Sequence, residues 1–200
     1  MKIDYEFTKD WFSWAPEVWT QLIPMLPGEP GKRHFLEIGS FEGRSAVWIG
    51  EHMMQEGDLL MCIDTWEGGE EHSEEDMQEV YERFHRNVEK LSNLKPFSWA
   101  TRIARSSEAL ADAIGGGGPP YHFIYIDGSH QAKDVLTDAC MAWQVLAPGG
   151  IMVFDDYLWG NPRDVLHRPK IAIDAFTNIF AEELQVIHSG YQIIVKRKEA

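Results

Sequence analysis

The sequence predicts an α/β fold, a doubly wound and mostly parallel sheet with helices on both faces and an antiparallel hairpin at its C-terminal end. Short apolar segments end in acidic residues, segments with helical periodicity lie between them, and two apolar segments flank a tight turn near residue 190. Strands without polar alternation are typical of parallel sheets that helices cover on both faces. With 200 residues, the chain is expected to form one domain, residues 1–200.

Four apolar segments are predicted to be buried strands, each with a carboxylate at or just after its end. They are residues 34–37 with Glu37, 59–64 with Asp64, 122–127 with Asp127, and 151–154 followed by Asp155 and Asp156. Residues 99–103 are a weaker fifth candidate. Ligands of such sheets bind beyond the carboxyl ends of the strands, so these acids are expected to share one crevice. At any single position, an acid that only caps the next helix is the alternative.

The segments between the strands predict helices and loops. Residues 132–145 place an apolar stripe on one helical face, formed by Val135, Leu136, Ala139, Cys140 and Trp143. Residues 106–113 predict a short helix with a serine as N-cap, and residues 115–120, four glycines and two prolines, predict a loop. The C-terminal part predicts a helix and then two hairpin strands, at residues 171–184, 185–187 and 191–195.

Charge and composition restrict the partners. The formal net charge of −14 would repel a phosphate backbone, so nucleic acid is not an expected partner. No apolar run reaches the roughly 18 residues of a membrane span, and the acidic N-terminus lacks the pattern of a signal peptide. We therefore expect a cytoplasmic protein without a membrane partner. Cys62 and Cys140 lie in apolar stretches and are predicted to be free thiols in a reducing compartment.

The turn after the first strand favours a nucleoside without phosphates. Gly39 would permit a sharp turn and close approach of a ligand, and Gly43 would let the next helix pack against the strand. Phe41 stands where a dinucleotide-binding turn has its middle glycine, and Glu42 would repel phosphate. A nicotinamide-dependent oxidoreductase on a related fold is therefore the disfavoured alternative.

Residues after the second and third strands would complete the nucleoside site. Asp64, 27 residues after Glu37, would accept hydrogen bonds from both ribose hydroxyls. Trp66 would either stack on an adenine or belong to the core. Ser106 and Ser107 would either reach the adenine edge with a hydroxyl or cap the following helix.

Two groups of motifs carry a family resemblance. Residues 35–43 (FLEIGSFEG) resemble the first S-adenosylmethionine (SAM)-binding motif of class I methyltransferases. Residues 123–130 (FIYIDGSH), with LAPGG at 146–150 and FDDY at 154–157, resemble small-molecule O-methyltransferases that include macrocin O-methyltransferase and cephalosporin-hydroxylase-type proteins. The similarity to catechol O-methyltransferase is more distant. The resemblance covers residues 33–160 well.

The resemblance implies a Rossmann-like, seven-stranded sheet with a reversed final strand and SAM-dependent methylation of a small-molecule or sugar hydroxyl. Sugars, polyketides, phenols and glycans all stay open as acceptors. A non-catalytic SAM-binding protein is the other alternative. The predicted cofactor contacts are Glu37, Gly39, Ser40, Gly43, Asp64, Trp66, Ser106, Ser107 and Asp127.

Asp127, Asp155 and Asp156 are predicted to hold a divalent metal, Mg²⁺ or Mn²⁺. Hard cations prefer oxygen ligands, and the corresponding positions hold the metal in the metal-dependent O-methyltransferases that the chain resembles. Neighbouring strand residues point to opposite faces, so Asp155 and Asp156 share a site only if the strand ends between them. Hydrogen bonding within the following turn is their alternative role.

His130 and Asp127 are the predicted catalytic residues. By resemblance, His130 stands where the catechol enzyme has its lysine base, and the near-neutral pKa of histidine suits a general base. A role of His130 as a metal ligand, or as a cap of the following helix, is the alternative.

Two flanking segments are expected to border the acceptor pocket. Residues 66–92 are predicted to be a lid-like segment with an acidic run, made of Glu67, Glu70, Glu71, Glu74, Glu75, Asp76, Glu79 and Glu82. Residues 1–32 are predicted to be a helical extension rich in aromatic residues, namely Trp11, Phe12, Trp14 and Trp19. These rings would pack on the sheet edge, line a lid, or contact a second copy in a homo-oligomer.

Overall fold

A computed structural model describes residues 3–69, 72 and 75–199 of the chain. Its described part contains the strands β1 (His34–Ile38), β2 (Leu59–Asp64), β3 (Ser98–Ile103), β4 (Tyr121–Ile126), β5 (Leu146–Phe154), β6 (Leu184–Ser189) and β7 (Ile193–Arg197). They form one sheet in the order β3-β2-β1-β4-β5-β7-β6. Strands β1 to β5 pair in parallel, whereas β7 is antiparallel to β5 and β6. The predicted mostly parallel sheet with an antiparallel C-terminal hairpin is confirmed.

Helices cover both faces of the sheet, as predicted. They are α1 (Pro16–Trp19), α2 (Arg44–His52), α3 (Met77–Ser92), α4 (Ser106–Gly116), α5 (Ala132–Val145) and α6 (Lys170–Ile179). The N-terminal segment, α2 and α3 enclose one apolar cluster, and α4, α5 and α6 enclose a second on the opposite face. Among the described residues, no helix has the length and apolar character needed to cross a bilayer.

The N-terminal extension is less helical than predicted. Within residues 1–32, helix is confined to α1 and the 3₁₀ helix Thr20–Met25 that follows it, and residues 3–14 adopt neither helix nor strand. This segment is held by side-chain contacts instead: the Asn87 side chain of α3 accepts a hydrogen bond from the amide of Glu6 (2.8 Å) and donates one to its carbonyl (2.9 Å).

Most of the predicted lid, residues 66–92, is a structural helix. Helix α3 buries Val80, Phe84, Val88 and Leu91 in the core, at the three- and four-residue spacing of one helical face. The acids of the predicted acidic run either lie on the solvated side of α3 or precede this helix in the chain. Glu70, Glu71 and Glu74 lie outside the described residues.

Several element boundaries differ from the predictions. Arg105, not a serine, is the N-cap of α4, and no side chain caps this helix end. Helix α4 runs through Gly116 before Gly117 ends it with a φ of 61°, so the first two residues of the predicted loop 115–120 are helical. Helix α6 ends at Ile179, and Tyr191 lies in the hairpin turn and not in a strand.

Gly39 is required where the turn after β1 passes the end of β4. Its φ is +83°, and a Cβ built on it would lie 2.0 Å from the backbone oxygen of Asp127. Gly39→Ala is therefore expected to lower the melting temperature, since a left-handed non-glycine residue alone costs roughly 1–2 kcal/mol. Gly118→Ala is the matched control, because nothing lies within 4 Å of its added Cβ. Equal melting curves for the two variants would contradict this account of the turn.

Candidate active site

The carboxyl ends of β1, β4 and β5 lie at one edge of the sheet because these strands are parallel. Their hydrogen bonding continues for one residue beyond the strands. The amide of Asp127 donates to the carbonyl of Ile38 (2.8 Å), and the amide of Asp155 donates to the carbonyl of Ile126 (3.0 Å). Acids that are distant in sequence are thereby brought to the same edge.

A cavity of about 1320 Å³ opens along this edge. Small-molecule sites usually occupy roughly 300–1,000 Å³, so the space accommodates more than one small ligand. The predicted site residues that line it are Gly39, Ser40, Asp64, Ser106, Ser107, Asp127, His130, Asp155 and Asp156. The other predicted contacts, Glu37, Gly43 and Trp66, lie behind its wall.

The carboxylate of Asp64 holds the turn after β1. One of its oxygens accepts hydrogen bonds from the amides of Ser40 (2.8 Å) and Phe41 (3.1 Å), and the other accepts from the amide of Trp66 (2.8 Å). The turn needs this support because Phe41 has a φ of 47°, which is unfavourable for a bulky side chain. Asp64 therefore fixes the shape of the cavity wall, and its predicted ribose contact stays a prediction.

Glu37 lies beneath this turn and is fully buried. One oxygen accepts a hydrogen bond from the hydroxyl of Ser45 (2.6 Å), and the other has no hydrogen-bond partner among the described residues. Burial raises the pKa of Glu37 to about 7, although hydroxyl donors such as Ser45 offset part of the effect. Its predicted contact with a cofactor stays a prediction.

Trp66 belongs to the core, which was the alternative to adenine stacking. It is 7% exposed, its indole N–H donates to the carbonyl of Phe41 (3.0 Å), and its ring packs against Tyr81 and Phe84. Its side chain is not among those that line the cavity. Gly43 has a φ of +80°, and a Cβ on it would meet the ring of Phe84 in α3. Gly43 therefore permits α3 to pack closely on the turn, whereas the sequence suggested that it lets the next helix pack on the strand.

Glu42 does not present a free charge to the cavity, and the sequence argument that it repels phosphate is wrong. Its carboxylate accepts hydrogen bonds from the amide and the hydroxyl of Thr8 (2.6 Å each) and pairs with the guanidinium of Arg83. Because the Glu42 side chain is 1% exposed, this pairing compensates a buried charge. The contact fastens the N-terminal segment to the first turn and to α3.

Asp127, His130 and Asp156 form a group that could hold a metal ion. One ligand atom from each lies within 4.8 Å of the others. Nε2 of His130 is 2.8 Å from Oδ2 of Asp156, and the hydroxyl of Tyr191 donates to Oδ1 of the same carboxylate at 2.8 Å. Asp156 reaches this position with a left-handed φ of 57°.

Asp155, the third predicted metal ligand, is not a member of this group. Strand β5 ends at Phe154, so neither acid is fixed by strand alternation. Oδ1 of Asp155 accepts from the amide of Asp156 (2.7 Å), while Oδ2 accepts from the side-chain amide of Gln192 (2.8 Å) and from the hydroxyl of Tyr125. Both oxygens are therefore engaged by donors of the protein.

The carboxylates of this cluster repel one another. Burial, followed by the charges of Asp155 and Asp156, raises the pKa of Asp127 well above its usual range. Burial and the charge of Asp156 raise the pKa of Asp155 to about 6. The hydroxyl of Tyr125 lies between the two, 2.8 Å from Oδ2 of Asp127, but it has only one proton to donate. Such a cluster stabilises a bound proton or cation.

A family model described as a methyltransferase domain matches residues 36–157, more than half of the chain. The chain belongs to this methyltransferase family. The matched region runs from the first turn to the residue after Asp156 and therefore includes both the turn and the acidic cluster. The membership in a methyltransferase family that the sequence motifs predict is confirmed.

The relatives of this methyltransferase are distant. An uncharacterized protein, R132, of Acanthamoeba polyphaga mimivirus is 27% identical over 123 residues, which are 62% of the chain and 51% of that protein. The chain thus spans about half the length of this curated relative.

Solved structures share its fold. The O-methyltransferase from Bacillus cereus in complex with SAH has a TM-score of 0.67 at 16% identity, over 96% of this chain and 84% of that one. The O-methyltransferase TomG from Streptomyces achromogenes, involved in tomaymycin synthesis and bound to SAM, has a TM-score of 0.64 at 17% identity, over 84% and 74%. MycE, from the mycinamycin biosynthetic pathway, in complex with Mg, SAH and mycinamycin VI, has a TM-score of 0.62 at 13% identity, over 96% and 51%.

Asp138 of α5 is a residue of the methyltransferase cavity that the sequence reasoning missed. It is 3% exposed, and burial raises its pKa to about 6, with the hydroxyl of Ser106 offsetting part of the shift. It lies on the apolar face of α5, three residues after Val135 and next to Ala139. A single acid within a predicted apolar stripe is uncommon and was the available signal.

Aromatic side chains surround the acidic cluster of the methyltransferase. Of the four predicted N-terminal aromatics, Phe12 and Trp19 are core residues. Three of the four, Trp11, Phe12 and Trp14, line the cavity. The ring of Trp14 meets that of Tyr191 at 5.3 Å, and the ring of Trp159 lies 4.1 Å from that of His130. The N-terminal segment is therefore part of the wall next to Asp156.

Glu37 is expected to make the stability of the methyltransferase depend on pH. Its pKa is about 7 in the folded chain and roughly 4.3 when unfolded, so between these values the folded state retains a proton that the unfolded state has lost. The stability linked to this proton is complete below about pH 4 and is lost as the pH rises through about 7.

Glu37→Gln is therefore expected to melt above the wild type at about pH 8, with a smaller advantage at about pH 5. The advantage of the variant corresponds to at most about 4 kcal/mol, at about 1.36 kcal/mol for each unit by which the folded and unfolded pKa values differ. Asp127 and Asp155 titrate in both proteins, so the difference between wild type and variant reports Glu37 together with its charge effect on Asp127. Glu17→Gln, at an exposed position, is the control. An advantage in calorimetry that does not vary with pH would contradict the assignment.

Proposed function

We propose that this chain is a SAM-dependent O-methyltransferase that methylates a hydroxyl of a small molecule with the help of a divalent cation. The observation that carries the proposal is one cavity lined both by the Gly39 turn with Asp64 and by the carboxylate–imidazole group of Asp127, His130 and Asp156. Methyl transfer is an in-line displacement, so the enzyme must hold donor and acceptor side by side. The size of the cavity suits two ligands.

The residues present fit SAM. The turn at Gly39 admits a ligand close to the backbone, and the carboxylate of Asp64 retains lone pairs for ribose hydroxyls beyond its three amide hydrogen bonds. Ser106, Ser107 and Asp138 add polar groups to the same cavity. When bound, SAM supplies the electrophilic methyl group. The side chain of Phe41, at the middle-glycine position, opposes the nicotinamide alternative.

The donor set also fits a divalent cation. Two carboxylates and an imidazole suit Mn²⁺, and the carboxylate oxygens suit Mg²⁺. Asp127 and Asp156 would hold the ion, and its charge would relieve the repulsion that adds to burial in raising the pKa of Asp127. A bound cation would orient the acceptor hydroxyl and lower its pKa. The fold neighbour MycE was solved with Mg, which supports the assignment.

His130 is the group best placed to accept the proton of the acceptor hydroxyl. Oδ2 of Asp156, 2.8 Å from its Nε2, would orient the ring and stabilise the imidazolium that proton uptake creates. The ring of Trp159 covers His130 and would limit access of water to this proton transfer. The direct-ligand role of His130 stays the alternative.

The surroundings favour a small acceptor with an apolar face. Trp11, Trp14 and Trp159 offer ring surfaces beside the acidic group, whereas the net charge of −14 disfavours nucleic acid. The free thiols of Cys62 and Cys140 support the proposed cytoplasmic location. A homo-oligomer stays a prediction.

Calorimetry is expected to detect SAM or its demethylated product at roughly micromolar affinity, about 8 kcal/mol. Asp64→Asn should weaken this binding at least about tenfold, because it removes the charge that strengthens hydrogen bonds from the ribose hydroxyls. Asp112→Asn, a surface acid paired with Arg102, should bind like the wild type. Binding of a nicotinamide dinucleotide without binding of SAM would overturn the cofactor assignment.

Mg²⁺ or Mn²⁺ is expected to raise the melting temperature of the wild type, because an ion that binds only the folded chain stabilises it by mass action. Asp127→Asn should abolish the rise, and Asp112→Asn should retain it. A chelator should stop methyl transfer and added Mg²⁺ should restore it. If chelation changes neither melting nor turnover, the cation is not part of the mechanism, while the SAM assignment still stands.

A further inference from the structure

Asp156 points into the site from a backbone conformation that needs support. Its φ of 57° costs roughly 1–2 kcal/mol for a residue with a side chain. The amide of Asp156 donates to Oδ1 of Asp155 at 2.7 Å, which stabilises this conformation. The direction of the Asp156 carboxylate therefore depends on how the carboxylate of Asp155 is held.

A buried amide holds Asp155. Gln192, in the hairpin turn, is 0% exposed. Its Nε2 donates to Oδ2 of Asp155 at 2.8 Å, and its Oε1 accepts from the indole N–H of Trp19 at 2.7 Å. An indole only donates and a carboxylate only accepts, so just one orientation of the Gln192 amide satisfies both. Without Trp19, the amide oxygen would lose this donor, and of these two contacts only the one with Asp155 would orient the Gln192 amide.

Trp19 is itself fixed by its surroundings. It is 0% exposed, and aromatic rings meet it edge to face at centroid distances of 4.8 to 5.6 Å, from Phe12, Trp48, Phe123 and Tyr125. Tyr125 is also the second donor to Oδ2 of Asp155. The indole thus locates both donors to that oxygen, one by a hydrogen bond and one by ring packing.

We propose that Trp19 and Gln192 are positioning residues of the cation site, which act through Asp155 to set the direction of Asp156. Hydrogen bonds join the four residues in that order, from the N-terminal segment through the hairpin turn to the end of β5. Asp155 acts through its hydrogen bonds and not as a ligand. The inference rests on the proposed function, because that function makes Asp156 a cation ligand.

The test is the affinity of the purified protein for Mn²⁺ alone, measured by electron paramagnetic resonance, beside its affinity for SAM. Trp19→Phe removes the indole N–H and keeps a ring, and Gln192→Met removes the amide at similar volume. Loss of hydrogen-bonding groups behind a metal ligand typically costs about 10- to 100-fold in metal affinity. Both variants are expected to lose Mn²⁺ affinity in this range and to keep SAM affinity within about twofold.

Trp143→Phe is the matched control for a buried tryptophan. Trp143 is 4% exposed, its indole N–H donates to Glu183 (3.3 Å), and it belongs to the apolar cluster on the other face of the sheet. Its replacement should lower the melting temperature without changing Mn²⁺ affinity. This separates loss of a buried indole from loss of the Gln192 contact.

An exchange of partners tests the hydrogen bond itself. With Asp155→Asn alone, two side-chain amides face each other at this contact, and with Gln192→Glu alone, two carboxylates face each other. Each single variant should therefore weaken Mn²⁺ binding. Together they restore a donor–acceptor pair with its polarity reversed, and Glu still accepts from Trp19. The double variant is expected to bind Mn²⁺ at least about tenfold more tightly than the weaker single variant, a recovery typical of coupled residues.

The outcomes are distinct. Absence of Mn²⁺ binding by the wild type would overturn the cation part of the proposed function and this inference with it. Mn²⁺ binding by the wild type that is unchanged in Trp19→Phe and Gln192→Met would overturn the inference alone. Failure of the double variant to recover would show that the hydrogen bond between Gln192 and Asp155 does not set the cation site, and would likewise overturn it.

Discussion

The site depends on the close contact between the turn after β1 and the end of β4. Gly39 passes so near the backbone oxygen of Asp127 that a Cβ would lie 2.0 Å from it. Asp64, from β2, reaches across and accepts the amides of Ser40 and Phe41. These contacts hold three strand ends together, and the wall of the cavity takes its shape from this backbone geometry.

The strands were predictable because a buried parallel strand leaves a local signature, a short apolar run with an acid at its end. The lid over residues 66–92 stays a prediction, and helix α3 shows why composition alone is a weak guide to this segment. Its acids lie on the solvated side and dominate the composition of residues 66–92, whereas Val80, Phe84, Val88 and Leu91 recur at helical spacing and decide the packing. The start of α4 was not predicted correctly because no side chain caps this helix end. The end of α6 was placed too late, since α6 ends at Ile179 and Leu184 already belongs to β6.

The candidate site was predictable only where chemistry follows a strand end. Asp127, His130 and Asp156 do so, and one short motif on each of two neighbouring strands located them. Gln192 contacts Asp155 across 37 residues and Trp19 across 173, and no local pattern encodes such a contact. The sequence likewise could not decide whether Trp66 stacks on an adenine or packs in the core. A tryptophan at this position can place its ring on either side of the turn.

The choice of donors explains how the cluster stays both folded and acidic. A lysine or arginine beside Asp155 and Asp156 would pair with them and cancel the field that attracts a cation. Tyr125, Tyr191 and Gln192 instead supply phenol and amide protons. Neutral donors satisfy the buried lone pairs and leave the charge in place. Their directionality also fixes each carboxylate, so one set of hydrogen bonds preserves both the attraction for a cation and the geometry that would receive it.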